Sequence, residues 1–335
     1  MQHSPNIHID IHQGQRLQYI VFDSPKVFTA FVEQQCNNLE FANKATMDQI
    51  ETNAKHRINT QSDWYGTPIP KSIAELAQHR YFEKMHLLET LAPKIKAHFY
   101  KYQALTEDQL IQRPKLTTNS KGLGVFSFDR AVMGLYKQPL GKGNTVVESL
   151  SNQLKIAVGK DKGTTVKDTH LYFKHTSNMR PSLTINLLAG GNANVKGDAL
   201  YYVGIACALL VDYLESCQIA VAVNVLIGTT IQKDSCLSVI QVKRFEDPLD
   251  QNQLLVLSSD PRYFRYNGFK AVIATADYCG LTIPESLGYI HSKIAHQYAQ
   301  SSKSNSVVFQ QSYSVDKAVA EVVKHLKNYT ASLKK

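Results

Sequence analysis

The stretch SLTINLLAGGNAN (182–194) sets the tightest limit on what this chain can fold into. Aliphatic and β-branched residues run into a double glycine. A short polar link then leads to ALYYVGIACALLV (199–211), which is apolar on nearly all sides. A strand that turns at glycines into a helix with no polar face belongs in a layered α/β domain, where that helix packs between a sheet and a further layer. The apolar run ends at Asp212, is too short to cross a bilayer, and reads as a buried helix, so no membrane is expected as a partner.

The rest of the C-terminal half extends this pattern. IAVAVNVLIGTT and CLSVIQVKRFE are β-rich and joined by IQKDS, which predicts a hairpin. DQNQLLVLSSD reads as a helix, and Asp260-Pro261 opens another. KAVIATAD (270–277) reads as a strand, PESLGYIHSKIAHQYAQ as a helix, SVVFQQS (306–312) as the last strand and SVDKAVAEVVKHLKNY as a closing helix. This order implies a Rossmann-like α/β fold, a mostly parallel sheet with helices on both faces and one antiparallel strand at an edge. Before it, RLQYIVFDS (16–24) predicts a strand and SPKVFTAFVEQQCNNLEF a helix, with Ser24 as cap and Pro25 in its first turn. Residues 72–100 predict a helix broken at Pro93, whereas 104–180 are basic and punctuated by glycine. The expected division is a smaller α+β region over 1–178 and the α/β domain over 179–335.

Net charge is +9 and the isoelectric point near 9.1, a balance that suits nucleic acid, an anionic surface or mere solubility. From Ser292 to Lys335 seven lysines face two acids, Asp316 and Glu321, which fits either a solvated helix face or a polyanion contact. The five cysteines are scattered with no CxxC pair, which points to a reducing compartment and away from structural zinc. The N-terminus, MQHSPNIHIDIHQ, has no apolar signal core, so a cytoplasmic location is expected rather than export.

Four segments carry a family resemblance: FDSPKVFTAF (22–31), DWYGTP (63–68), MRPSLTINLLAGG (179–191) and KRFEDPLDQNQLLVLSSDPRYFRYNGF (243–269). Together they are similar to phage-encoded proteins whose C-terminal half is von Willebrand factor A-like and whose activity is unassigned. The resemblance implies that fold for the C-terminal half, and a place in the cytoplasm of a host cell or on a virion. It departs from the metal-binding form of the domain. An Asp-x-Ser-x-Ser pattern placed on the first strand falls on Asn186, Leu188 and Gly190, so the anchoring carboxylate and both hydroxyls are missing. Thr229, Thr230 and Asp277 remain as outer oxygens only. No metal is expected here.

Other chemistry fares no better. GGNANVKGD, with Lys196 nearby, fits neither phosphate-binding glycine spacing. His8, Asp10 and His12 share one face of a strand, a metal-compatible spacing or the polar face of an edge strand. Glu75, His79, Glu83 and His86 fall along one helix stripe, read as a solvated face; Glu83-x-x-His86 copies half of a di-iron pattern, but no second half exists. Ser258, Ser259 and Asp260 lack a nucleophile elbow and read as a helix start. Two partner-binding candidates remain. DWYGTPIP holds the single tryptophan, Trp64, with Tyr65, and serves either as an anchor onto the α/β domain or as a contact surface. PRYFRYNGFK interleaves Arg262, Arg265 and Lys270 with Tyr263 and Tyr266, either to stack bases and pair phosphates or as an amphipathic helix with its arginines outside. The sequence thus points to a cofactor-free, non-enzymatic protein of a phage or mobile element that binds a protein partner or itself. Nucleic-acid binding is the alternative, and an enzyme with an unfamiliar site the second.

Overall fold

In the computed structural model, backbone is described for residues 5–12, 14–60, 63–97, 115–119, 125–128, 170–174, 182–191, 194–284, 287, 292–302 and 305–332. The order is β1 (Ile7–His12), β2 (Gln15–Phe22), α1 (Pro25–Cys36), α2 (Phe41–Thr60), α3 (Ile73–Gln78), α4 over 86–97, β3 (Lys115–Asn119), β4 (Val125–Phe126) and β5 (His170–Lys174). There follow β6 (Ser182–Leu188), α5 (Tyr201–Ser216), β7 (Ala220–Ile231), β8 (Asp234–Lys243), α6 (Gln251–Ser259), α7 (Pro261–Tyr263), a π turn (Phe264–Gly268), α8 (Phe269–Tyr278), α9 (Ser292–Ser301), β9 (Ser306–Phe309) and α10 (Val315–Ser332).

Six strands form one mixed, mostly parallel sheet in the order β1-β2-β8-β7-β6-β9. Strand β6 sits between parallel neighbours β7 and β9, and its second half, Ile185 to Leu188, is buried on both faces, as expected of a central parallel strand. The β7–β8 hairpin is antiparallel, and its turn places Gln232 at φ 55°. Helix α5 carries eleven buried residues from Tyr201 to Leu214 and packs on the large core face with α6 and α10. Full burial of each valine, leucine or isoleucine among them contributes about 1.5–3 kcal/mol. On the opposite face α9 lays Ile294, Ala295 and Tyr298 against Leu17, Leu188, Leu226 and Leu237. Helices thus cover both faces. The helix spanning 197–216 is apolar enough for a membrane by length and composition, but most of it is buried inside the fold.

Three expectations need correction. First, residues 1–178 are not a region apart. β2 pairs in parallel with β8, Leu17 facing Ser235 and Phe22 facing Ile240, so the antiparallel hairpin strand lies inside the sheet. Residues 1–111 and 181–335 form one compact unit, and Gln112–Arg180 a second, with the antiparallel sheet β3-β5-β4. Most of the basic 104–180 stretch lies outside the described residues. Second, 270–277 is helical: Ala271, Val272, Ile273, Ala274 and Ala276 are buried on several sides of α8. Third, the 72–100 helix is interrupted over 79–85, where side chains turn inward to distant partners, and it continues through Pro93 because Leu91 and Ile95 hold α4 to the core. The Ser24 cap stands as expected, its hydroxyl accepting the Val27 amide at 3.3 Å with Pro25 in the first turn.

Candidate functional site

The carboxyl end of β6 is where an open α/β sheet offers a crevice. Here the crevice is filled from within. Asn186 is 1% exposed, and its Oδ1 accepts from Asn224 Nδ2 at 3.0 Å. Leu188 belongs to the second core. Gly190 holds φ at 95°, and a Cβ there would stand 2.1 Å from Phe264 Cζ, so the glycine serves close packing. Of the outer oxygens, Thr229 Oγ1 donates to the Leu287 carbonyl, Thr230 Oγ1 accepts from Ser235, and Asp277 lies on α8. There Asp277 accepts from Gln35, Asn43 and the Glu40 amide, tying the α1–α2 connection down.

The 63–68 loop closes over this end of the sheet as an anchor, one of its two expected roles. The Gly197 amide donates to the Asp63 carbonyl at 2.8 Å, the Thr67 amide to Asp198 Oδ1 at 2.8 Å, and Tyr201 Oη to the Thr67 carbonyl at 3.2 Å. Gly66 (φ 73°) and Gly197 approach so closely that a Cβ on Gly197 would lie 2.1 Å from the Gly66 nitrogen. The Trp64 ring lies between two guanidinium groups, Arg57 at 3.7 Å and Arg265 at 3.8 Å, a double cation–π stack. Arg265 also donates to the carbonyls of Trp64 and Val195. Burial, with Arg57 close by, pushes the Arg265 guanidinium down to about 10, which still leaves it charged at neutral pH. The π turn at 264–268 presents Arg265 to these carbonyls.

Beneath the loop lies a buried ionic network. Asp260, fully buried, accepts the Arg262 amide at 2.9 Å and meets His79 Nε2 at 2.7 Å. Arg262, 1% exposed, places Nε 3.7 Å from Asp260 and donates through Nη1 to Glu83 Oε1 at 3.0 Å. This corrects the helix-stripe reading: His79 caps the end of α3 and Glu83 lies in the interruption, so no shared solvated face exists. His79 and Asp260 suggest two members of a triad, but the neighbouring hydroxyls are engaged elsewhere. Ser259 Oγ accepts the Gly204 amide at 2.7 Å and Ser258 Oγ donates to the Leu254 carbonyl.

The partner-binding candidates are therefore internal. Tyr65, Arg262, Tyr263, Arg265 and Tyr266 are all 5% exposed or less, and Trp64 is packed against the core. Lys270 is partly exposed but pairs with Glu51 at 2.8 Å. A stacking face for bases along 261–270 is corrected: these cations turn inward because Asp260, Glu83 and backbone carbonyls pair them there. A groove of about 410 Å³ lies beside them, lined by Phe28, Val32, Cys36, Tyr263 and Lys270 among others. Burial pushes the Cys36 thiol up to about 11, so it is protonated and a poor nucleophile at neutral pH.

What faces outward is the margin of the sheet at β1. Ile7, Ile9 and Ile11 lie on one face, 38%, 54% and 70% exposed. The other face carries His8, stacked on Tyr19 at 5.0 Å, and Asp10, which accepts from Gln297 at 2.9 Å. Among the described residues no three His, Cys, Asp or Glu side chains converge as metal ligands, and no strand pairs with the outer side of β1. The His–Asp face of IHIDIH is the one whose spacing suits a metal. The isoleucine alternation of the same six residues was the available signal for this edge.

Fold and sites together define an α/β protein with a plugged strand-end crevice and an open, apolar sheet edge. Residues 169–332 match the model of a domain of unknown function, DUF7192. That range takes in β6 to β9 of the large sheet and leaves β1 and β2 outside. No curated protein and no solved structure matches the chain.

Proposed function

We propose that this chain is a non-enzymatic interaction or assembly protein, built on a cation-free von Willebrand A-like layer, that takes up a protein strand along β1. The exposed isoleucine alternation, on an edge that no strand among the described residues pairs, carries this reading. Such edges template pairing with another chain and are ordinarily blunted by lysine, proline or shortness. β1 runs six residues with none of these devices inside it. The strand order β8-β7-β6-β9 supports the von Willebrand A-like reading, and the four quoted segments support an origin in a phage or mobile element.

A photo-crosslinking residue placed at Ile11 and, separately, at Phe41 tests this in cells. Phe41 is 88% exposed and far from the edge in sequence. Protein adducts at position 11 and none at 41 are expected. Absence of protein adducts at 11, or nucleic acid captured at both positions, overturns the reading.

A further inference from the structure

We infer that the occupant of the β1 edge is β1 of a second copy of this chain, paired antiparallel about Ile9. This rests on the reading just given and names its partner. Residues opposite one another in an antiparallel pair share a face, so only alternate registers keep isoleucine against isoleucine. The register centred on Ile9 sets Ile9 against its own counterpart and Ile7 against Ile11 twice over. On the other face it sets His8 of each copy against Asp10 of its partner, two opposite-charge pairs whenever His8 is protonated. Centring on Asp10 instead would place two carboxylates side by side and His8 opposite His12, a repulsive arrangement. The sequence IHIDIH is therefore charge-complementary to itself in one register and not in the next.

Existing contacts allow the pairing. Only one Asp10 oxygen is used by Gln297, and His8 is exposed while stacking on Tyr19. The three isoleucines lie on the same face as Ile20, Gln18 and Arg16 of β2, so six isoleucines from two copies would prolong the apolar surface that begins at Ile20. A two-fold pairing of this kind is closed and joins two six-stranded sheets into one of twelve strands. The opposite edge, β9, has only four residues and its last two are buried.

The test uses the full chain. Light scattering at tens of micromolar should give a dimer, and Ile9→Lys, which sets two ammonium groups face to face at the two-fold, should give a monomer that keeps the melting temperature the wild type shows at dilutions where it too is monomeric. Ile9→Cys reads the register: under mild oxidation it should form a dimer-linked disulfide, whereas Ile11→Cys and the wild type, with its native cysteines, should not. A wild-type monomer overturns the inference. So does a dimer that survives Ile9→Lys, or a disulfide through Ile11→Cys and not Ile9→Cys. A monomer that still yields protein adducts at position 11 in cells overturns self-pairing alone and leaves the interaction reading standing. A monomer without such adducts removes both.

Discussion

Two margins of one sheet meet water in opposite ways. At the carboxyl end of β6 the charged groups are engaged within the fold: Asp260 holds His79 and Arg262, Arg265 holds two carbonyls and an indole, and glycines let the 63–68 loop press onto backbone. Along β1, a row of isoleucines stands exposed on a strand whose outer side pairs with no strand among the described residues. The first margin spends polar groups on stability. The second leaves apolar groups unspent, and apolar surface left exposed on an edge is where a partner gains most. Substitutions at the two margins should therefore separate stability from association.

The largest effect is expected at Asp260. Asp260→Ala leaves Arg262 buried beside Glu83 alone and His79 without its acceptor. Removing one partner of a buried ionic group costs about 3–5 kcal/mol. Urea unfolding should show this loss, while any wild-type association persists in the folded fraction. A loss below about 1 kcal/mol, the range of surface pairs, would mean that the network is far more hydrated than its burial states.

Next comes Gly197→Ala. The new Cβ would meet the Gly66 backbone nitrogen, which no rotamer can move aside, so the 63–68 loop must lift. Overpacking of this kind costs about 1–3 kcal/mol. Trp64 is the only tryptophan, so its fluorescence reports the loop alone. Red-shifted, more quenchable emission with an unchanged far-ultraviolet spectrum is expected. Unshifted emission would show that the loop is not held by this approach.

How much of this was readable beforehand follows from the range of the forces involved. The Ser24 cap, the β7–β8 hairpin and the strand at 182–188 depend on neighbours a few residues away, and each is written locally. The α8 error is also local in origin: KAVIATAD is a short apolar run buried on several sides, and such a run carries no period to tell helix from strand. The inward arginines are another matter. Arg262 and Arg265 are charged, and their burial depends on Glu83, 179 residues away, and on Trp64, 201 residues away. The pairing of β2 with β8 spans a similar distance and leaves no trace in either strand's composition. For the site, nothing in SLTINLLAGGNAN marks the Phe264 ring and the 63–68 loop that fill its crevice, since both come from distant parts of the chain, and the open edge was visible only as an alternation whose exposed side the sequence does not mark.

A smaller effect is expected where the sealed margin reaches the surface. Lys270 donates to Glu51 at 2.8 Å, and this hydrogen bond holds the Glu51 carboxyl below its ordinary 4.5, against the opposing effect of burial. Burial lowers the Lys270 ammonium, but the bonds to Glu51 and Tyr266 outweigh it and leave its value raised above 10.5. A depressed carboxyl stabilises the fold fully above the unfolded value and loses that contribution as pH falls through the folded one. A raised ammonium loses its share only as pH climbs through its own folded value. The pair should thus contribute evenly between about pH 5 and 10 and fade below about pH 4.5. Glu51 is 47% exposed, so solvent screening keeps this to about 1 kcal/mol or less. Glu51→Gln should lower the melting temperature slightly at pH 7 and narrow its gap to wild type at pH 3.5. A gap that widens in acid would reverse the sign.

The smallest change in stability is expected at the site of the largest change in association. Ile11 is 70% exposed and faces Arg16 across the β1–β2 pair, so replacing it removes little buried surface from the folded chain. Ile11→Thr keeps the β-branch that suits an extended backbone while removing part of the apolar surface. Its unfolding free energy should stay within about 0.5 kcal/mol of wild type, as for most exposed substitutions. Measured at dilutions where the chain is monomeric, this isolates the edge from its occupant. At higher concentration the wild type should gain melting temperature with protein concentration, because binding that favours the folded state stabilises it by mass action. Ile11→Thr should gain less, and Ile9→Lys nothing. Equal concentration dependence in all three would mean that the isoleucine row contributes nothing to association, and the two margins would then differ only in composition.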